Sequence, residues 1–460
     1  MLKPAVTLGL AALSFALAQA ATPVAPAKPT APATPAKPAV TAPPIKPLAP
    51  VAQLLPPIAP PGGWVLVKPN LKALPGAKVY QGTRNGYAYV MEVPARWNGS
   101  LVMYAHGFAG ATADLVAQPI PIRQALIPAG YAWAASSYTA NGWSVKEGTE
   151  NTLDLARFFA KTVKAPKATY LVGASMGGNV VTDSIETYPT FYKAAMPVCG
   201  ALTGIGLFDT FLAEREAAEA ITGLHWDANV LTDPQSLAPV LQKVLPLLGT
   251  PGNYTALGKQ YDSLLANLTG GPRPFRLQGL TLEFAKGATF YQAGFGLSPL
   301  GIVNLAPGAN VATNAGVVYR SDPALGLDDA AFNKLVPRIA ANPAVRGLGR
   351  AVGLSLPTGK IQIPVLTLHT TGDPFVPISQ EQDYRRLVAA NGKIDLLVQR
   401  AIRRAGHCEF SGEELWQGFT DLVAWANGGR KPLGDDLLGP LDKAGKEWTK
   451  PLQPDDPGGM

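Results

Sequence analysis

Cysteine is nearly absent from this chain: Cys199 and Cys408 are the two it has in 460 residues. Neither sits in a C-x-x-C pattern, which argues against a thiol-redox motif or a zinc knuckle. Histidine is also scarce, with His106, His225, His369 and His407 making up the full set. No H-E-x-x-H or EF-hand run occurs, so no catalytic metal and no cofactor are expected. Beyond the N-terminus no apolar run reaches the ~20 residues that span a bilayer, and the mature chain is expected to be soluble. No acidic residue precedes Gly63, whereas Lys3, Lys28, Lys37 and Lys46 do, so four of the seven surplus positive charges lie in that segment. The rest of the chain is close to balanced. Its basic pI is therefore no footprint of nucleic acid, and no such partner is expected. No fixed-period repeat is present.

What is there divides the chain into parts. Residues 1–20 carry an early lysine, an apolar stretch from Val6 to Leu17, and Ala18-Gln19-Ala20. That is the layout of a secretory signal with an A-x-A cleavage site. A short membrane anchor is the other reading, but the run is too short to span. Residues 21–62 are almost entirely Ala, Pro, Thr, Val and Lys, as in "APAKPTAPATPAKPAV". With little to bury and so much proline, this segment is expected to be a disordered, extended spacer. It would hold the protein near the cell envelope, or act as a Pro-rich ligand. The expected location is secreted, periplasmic or envelope-bound. From Gly63 to Asn427 the chain is long enough for a large core. A Gly-, Pro- and Asp-rich tail, 428–460, is expected to be loosely held.

Within that body, strand-like and helix-like runs alternate. Strands are expected at 86–94, 100–107, 130–138, 168–175, 194–200, 363–370 and 393–400. Helices are expected at 150–163, 176–187, 379–390 and 411–427. Alternation of this kind implies an α/β fold, a mostly parallel sheet with helices on both faces. Residues 201–360 interrupt it and read as helical at 207–221, 233–249, 254–268 and 328–342. The Phe- and Tyr-rich stretch "GATFYQAGFGLSP" among them is a candidate pocket lining, although such residues more often pack a core of their own.

The chemistry gathers around "YLVGASMGGNVV", 170–181. A strand, Gly173-Ala174-Ser175-Met176-Gly177 and a helix form a G-x-S-x-G elbow in its required context. The turn crowds the positions two before and two after the serine, and glycine relieves it. The reading set against this is a helix start with Ser175 as its N-cap. A serine needs a base, and the base needs an orienting acid. His407, in "RRAGHCEF" between the last strand and last helix, is the expected base. Asp373, in "LTLHTTGDPFVP" directly after a strand, is the expected acid, with Glu409 and Asp383 as alternatives. The chain order Ser175, Asp373, His407 is the order this kind of sheet uses. "YAHGFAGA" follows an early strand and would place the Phe108 N–H beside that of Met176 as an oxyanion hole. His106 is expected to brace that loop, His369 to be packed, and His225 to lie at the surface.

Taken together, "HGFAG" at 106–110, "GASMGG" at 173–178, "TGDPFVP" at 371–377 and "GHCEF" at 406–410 resemble the α/β-hydrolase superfamily. The resemblance covers about 64–200 and 361–427. It implies an α/β-hydrolase fold with a large, mostly helical cap inserted at 201–360. Within the superfamily the chain is most similar to secreted bacterial serine esterases and prolyl-oligopeptidase-like hydrolases. Feruloyl esterases and tannases also carry a His-Cys pair, bridged to a cysteine beside the nucleophile. Here Ala174 occupies that place, so a bridge to Cys408 would have to use Cys199; two buried free thiols are the alternative. The implied function is hydrolysis of a small-molecule or polymeric carboxylic ester. Amide or peptide cleavage stands second, and a catalytically silent binding module third.

Overall fold

Successive residues of the central strands face two different apolar layers. Leu101 and Met103 point into one core, Val102 and Tyr104 into the other. The same split separates Leu171 from Tyr170, Ala195 from Met196 and Val365 from Leu366. Strands buried on both sides require cover on both sides. The computed structural model, which describes residues 62–110, 112–225, 234–285, 311–454 and 456, shows how that cover is supplied.

The sheet has eight strands: β1 (Ala77–Arg84), β2 (Tyr87–Pro94), β3 (Ser100–Ala105), β4 (Ala132–Ser136), β5 (Ala168–Ala174), β6 (Ala194–Val198), β7 (Val365–Thr370) and β8 (Leu397–Ile402). Their spatial order is β1-β2-β4-β3-β5-β6-β7-β8. Only β2 runs against its neighbours, pairing antiparallel with β1 and β4, while the pairs from β4 to β8 are parallel. The longer helices in chain order are α1 (Val145–Thr162), α2 (Met176–Thr187), α3 (Ile205–Thr222), α4 (Pro234–Leu248), α5 (Ala256–Leu268), α6 (Arg276–Ala285), α7 (Asp329–Leu335), α8 (Ser379–Ala390) and α9 (Gly412–Ala426). Phe159 of α1, Val181 and Ile185 of α2, and Tyr384 and Val388 of α8 pack on one face of the sheet. Leu415, Phe419 and Leu422 of α9 pack on the other. Helix α9 starts at a capping box in which Ser411 and Glu414 exchange side-chain-to-backbone hydrogen bonds. Such a cap contributes about 1 kcal/mol, and here it fixes the helix just beyond His407.

Helices α3 to α7 lie between β6 and β7 and build a core of their own. Ala217, Val244, Leu248, Tyr261, Leu264, Leu280, Tyr319 and Phe332 meet there. This inserted layer is tied back to the rest of the chain at several places. Gly279 of α6 is one, because a Cβ there would lie 2.0 Å from the Gly372 carbonyl oxygen and 2.5 Å from that of Ala405.

Several elements differ from those expected. Strand β1 lies outside the expected strands; it is a half-buried edge strand whose Lys78, Gln81 and Arg84 blur the alternation. Strand β8 begins at Leu397 rather than 393, because Ile394–Leu396 form a 3₁₀ turn. Helix α7 stops at Leu335 instead of running to 342, since Pro337 lacks an N–H and disfavours helix in the residue before it. Helix α6 likewise lies outside the expected helices. The described part of the tail is held rather than loose: Asp435 donates its N–H to Gln399 O and accepts from Ala401 N, and Thr449 Oγ1 accepts from Arg403 N. It thereby covers the outer edge of β8, an edge that would otherwise expose unpaired backbone groups. The signal-like segment at 1–20, the spacer up to 61 and "GATFYQAGFGLSP" lie outside the described residues.

Candidate active site

Strand β5 ends at Ala174 and α2 begins at Met176, so the whole reversal is made at Ser175. Its backbone sits at φ 58° and ψ −122°, a conformation that costs a non-glycine residue on the order of 1–3 kcal/mol. The neighbours make that conformation tolerable by having no side chain. A Cβ at Gly173 would lie 2.3 Å from the Gly177 carbonyl oxygen, and one at Gly177 would lie 2.1 Å from that of Ala105. Gly178, outside the motif, is equally constrained, with Gly200 Cα 2.4 Å from its notional Cβ. Gly177→Ala is therefore expected to be destabilising by at least about 3 kcal/mol, since the clash is with rigid backbone. Urea melts of the variant and the parent protein check this; a loss below 1 kcal/mol would contradict the packing.

Asp373 and His407 arrive from the ends of β7 and β8. Asp373 follows β7 and is buried. Its Oδ1 accepts the N–H groups of Phe375 and Val376, each at 2.9 Å, which leaves Oδ2 directed outward. That Oδ2 lies 2.6 Å from His407 Nδ1, and His407 Nε2 lies 2.8 Å from Ser175 Oγ. With the Nδ1 proton donated to the carboxylate, Nε2 is free to accept the serine proton. Phe375 sets its ring edge-on to the imidazole, with centroids 5.7 Å apart. The His407 turn is held by Thr370 Oγ1 donating to Gly406 O and by Glu409 Oε2 accepting from Gly406 N. Glu409 thus has a partner other than the imidazole, and Asp383 pairs with Arg386 on an exposed stretch of α8. Asp373 is the carboxylate at the histidine.

Seven spatially ordered steps across the sheet separate its two edges, with the serine at the end of β5, the acid after β7 and the histidine after β8. That strand order, with one antiparallel strand and an elbow serine, decides the architecture. The chain has the α/β-hydrolase fold.

In this α/β-hydrolase fold the loop after β3 stands against the elbow. A Cβ at Gly107 would lie 3.1 Å from Ser175 Cβ. The next residue is Phe108, with its side chain partly in solvent. Among the described residues neither the Phe108 nor the Met176 N–H has a hydrogen-bond acceptor. His106 holds this loop: its Nδ1 lies 2.7 Å from Gly107 O, and its ring stacks on Tyr138 at 3.9 Å. Burial pushes its pKa down and favours the neutral ring. His225 is largely exposed beside Glu219, and His369 is buried beneath Asp373.

Cys199, directly after β6, is disulfide-bonded to Cys408, next to His407. Both cysteines have positive φ, 43° and 54°. The bond joins residues 209 apart in sequence and ties the histidine turn to the sheet. Cysteine sulfurs and the histidine nitrogen lie close together here, but the sulfurs are bonded to each other and are not free metal ligands. Losing the bond, in Cys199→Ser/Cys408→Ser, is expected to cost about 3–5 kcal/mol of stability. A ten-fold or greater fall in kcat should accompany it as the His407 turn loosens. Equilibrium unfolding and steady-state kinetics test both; unchanged values would show that the turn holds itself.

Some contributors gave no sequence signal. Arg273, in the inserted layer, donates its Nε–H to Thr371 O at 2.8 Å, two residues before Asp373. Nothing in "GGPRPFRL" marks it. Thr370 reads as an ordinary strand-end residue, and Glu409, an alternative for the acid in the sequence, instead accepts from Gly406 N and braces the histidine turn.

No family model matches the chain. A stretch of 115 residues is 28% identical to the o-phthalyl amidase of Xanthobacter agilis; it spans 25% of this chain and 25% of that protein. The match thus covers well under two thirds of the curated relative. Among solved structures, feruloyl esterase B of Aspergillus oryzae is similar over 77% of this chain and 81% of its own, at 14% identity and a TM-score of 0.43. Est1E of Butyrivibrio proteoclasticus is similar over 76% and 98%, at 12% identity and a TM-score of 0.36.

Proposed function

We propose that the protein is a serine hydrolase that cleaves carboxylic esters through an acyl-enzyme. The observation that carries this reading is the unbroken relay from Ser175 Oγ to His407 Nε2 (2.8 Å) and from His407 Nδ1 to Asp373 Oδ2 (2.6 Å). Ser175 Oγ adds to the carbonyl carbon as its proton passes to His407 Nε2. Asp373 holds the ring and stabilises the imidazolium. The N–H groups of Phe108 and Met176 receive the oxyanion, each contributing about 10²–10³ in rate. Collapse breaks the C–O bond, and the alcohol leaves with the proton from Nε2. Water then gives a proton to Nε2 and adds to the acyl-enzyme. The second collapse returns the proton to Ser175 and releases the acid.

Amide cleavage is the second reading, favoured by the partial similarity to an o-phthalyl amidase. It uses the same groups with an amine as the leaving group. A silent binding module stands third and has no need for the three groups in register. The substrate is proposed to be a small or polymeric ester met outside the cytoplasm. Export is supported by the N-terminal signal-like segment and by a disulfide, which persists in oxidising compartments. The Pro-rich spacer would then set the distance from the envelope. Among the described residues no helix is long and apolar enough to cross a membrane.

Labelling with a fluorophosphonate tests the reading. One adduct per chain, on Ser175, is expected. Folded protein that stays unlabelled and inert on activated esters would remove it. A panel of p-nitrophenyl acyl esters beside the matching anilides then separates ester from amide specificity.

A further inference from the structure

Beneath the acid lies a buried pair that the relay does not use. His369, in β7 four residues before Asp373, is fully buried. Its Nε2 lies 2.7 Å from Val376 O. Val376 is also one of the two residues whose N–H groups hold Asp373 Oδ1. The imidazole therefore grips the far side of the turn that clamps the acid. On its other edge, Nδ1 faces Glu381 Oε1 at 3.5 Å. Glu381 is fully buried too, and its Oε2 accepts Thr367 Oγ1 from β7 and Gln399 Nε2 from β8. The glutamate is thus fixed to two strands, the histidine faces the glutamate, and the turn hangs from the histidine.

A fully buried ionisable pair is a costly way to fill space, since apolar residues of similar volume would pack at least as well. What apolar residues cannot do is donate to Val376 O and so fix where Asp373 Oδ2 points. Burial pulls the His369 pKa down, but Glu381, Asp373 and the Val376 carbonyl outweigh it, and the group sits above its usual value.

We propose that His369, faced by the buried Glu381, is a positioning residue for the triad acid, acting on Asp373 through Val376 and never on substrate. This rests on the serine-hydrolase reading above. Misplacing a reacting group by about 1 Å can cost on the order of 100-fold in rate. His369→Leu fills the space and removes the donor. His369→Gln restores an N–H near the Nε2 position, while His369→Asn places its amide too short to reach Val376 O.

The test measures kcat and KM on an activated ester, per active site titrated with fluorophosphonate, together with thermal midpoints. His369→Leu and His369→Asn should each lower kcat by about 10- to 100-fold with KM nearly unchanged. His369→Gln should recover most of that loss. Should the Leu variant fail to fold, Glu381→Gln takes its place, with an expected kcat loss of about 3- to 10-fold. Equal kcat in folded Gln and Asn variants, or lowered melting with kcat intact, would reduce His369 to packing. A wild-type protein that fluorophosphonate does not label would instead overturn the hydrolase reading itself.

Discussion

Ser175→Ala and His407→Ala should each lower kcat by about 10⁵- to 10⁶-fold while leaving the fold intact. The hydroxyl is the atom that bonds to substrate, and Nε2 is the base 2.8 Å from it. Neither has a substitute in the described structure. Among the described residues the other histidines are committed elsewhere: His106 to Gly107 O, His225 to Glu219, His369 to Val376 O. The double variant should be no slower than either single one by more than a few fold, because each removes the same step. The residual rate would come from the oxyanion donors and from binding. Alanine at Ser175 also relaxes nothing in the backbone, since Cβ and its φ of 58° remain. Far-UV spectra and thermal midpoints should therefore be unchanged. Kinetics on p-nitrophenyl esters, after exclusion of background hydrolysis, check the effect. A loss below 100-fold in either variant would exclude the proposed roles.

Asp373→Asn is the second large effect, about 10⁴-fold in kcat. The amide can still accept from Phe375 and Val376 N–H at the Oδ1 position, so the turn should survive. What it presents to His407 is an NH₂ group in place of Oδ2. The imidazole then accepts at Nδ1 and carries its proton at Nε2, pointing at Ser175 Oγ. A base with its proton on the wrong nitrogen cannot take the serine's. A second carboxylate could rescue the variant, but the two nearby in sequence are engaged. Glu409 accepts from Gly406 N, and Asp383 pairs with Arg386 at 2.6 Å. Asp373→Ala should be no less damaging, because the turn loses its anchor as well. Activity within ten-fold of wild type in Asp373→Asn would mean that another acid serves the histidine.

Much of this site was legible in the chain because its determinants are local. A β-strand, a small-residue turn and a helix within twelve residues carry their own steric logic, and α2 spans the 176–187 expected of it. His407 and Asp373 could be chosen because each follows a recognisable strand. Strand β1 and helix α6 were less legible for opposite reasons. The first is a polar edge, and the second is a helix that approaches Gly372 and Ala405 through Gly279 while Leu277 and Leu282 stay exposed, so its apolar residues draw no clean stripe. The tail departs from expectation because composition reports what a segment can bury, not which open strand edge awaits it. Asp435 and Thr449 pair with backbone of β8 and its exit, and those partners lie more than 30 residues away.

The sequence alone determined the elbow's first glycine, because a Cβ at Gly173 would meet the Gly177 carbonyl within the turn itself, whereas Gly177 is kept bare by Ala105 and His106 from another strand and its loop. It also determined the order of the three groups, since that order is a property of the chain. Tertiary structure decided which carboxylate meets His407, that Cys199 and Cys408 are bonded rather than free, and that His369 reaches the turn of Asp373. Those are matters of register between parallel strands whose ends lie far apart along the chain. Hydrogen bonds lose their worth within a few tenths of an ångström, and only the packed sheet sets distances that finely.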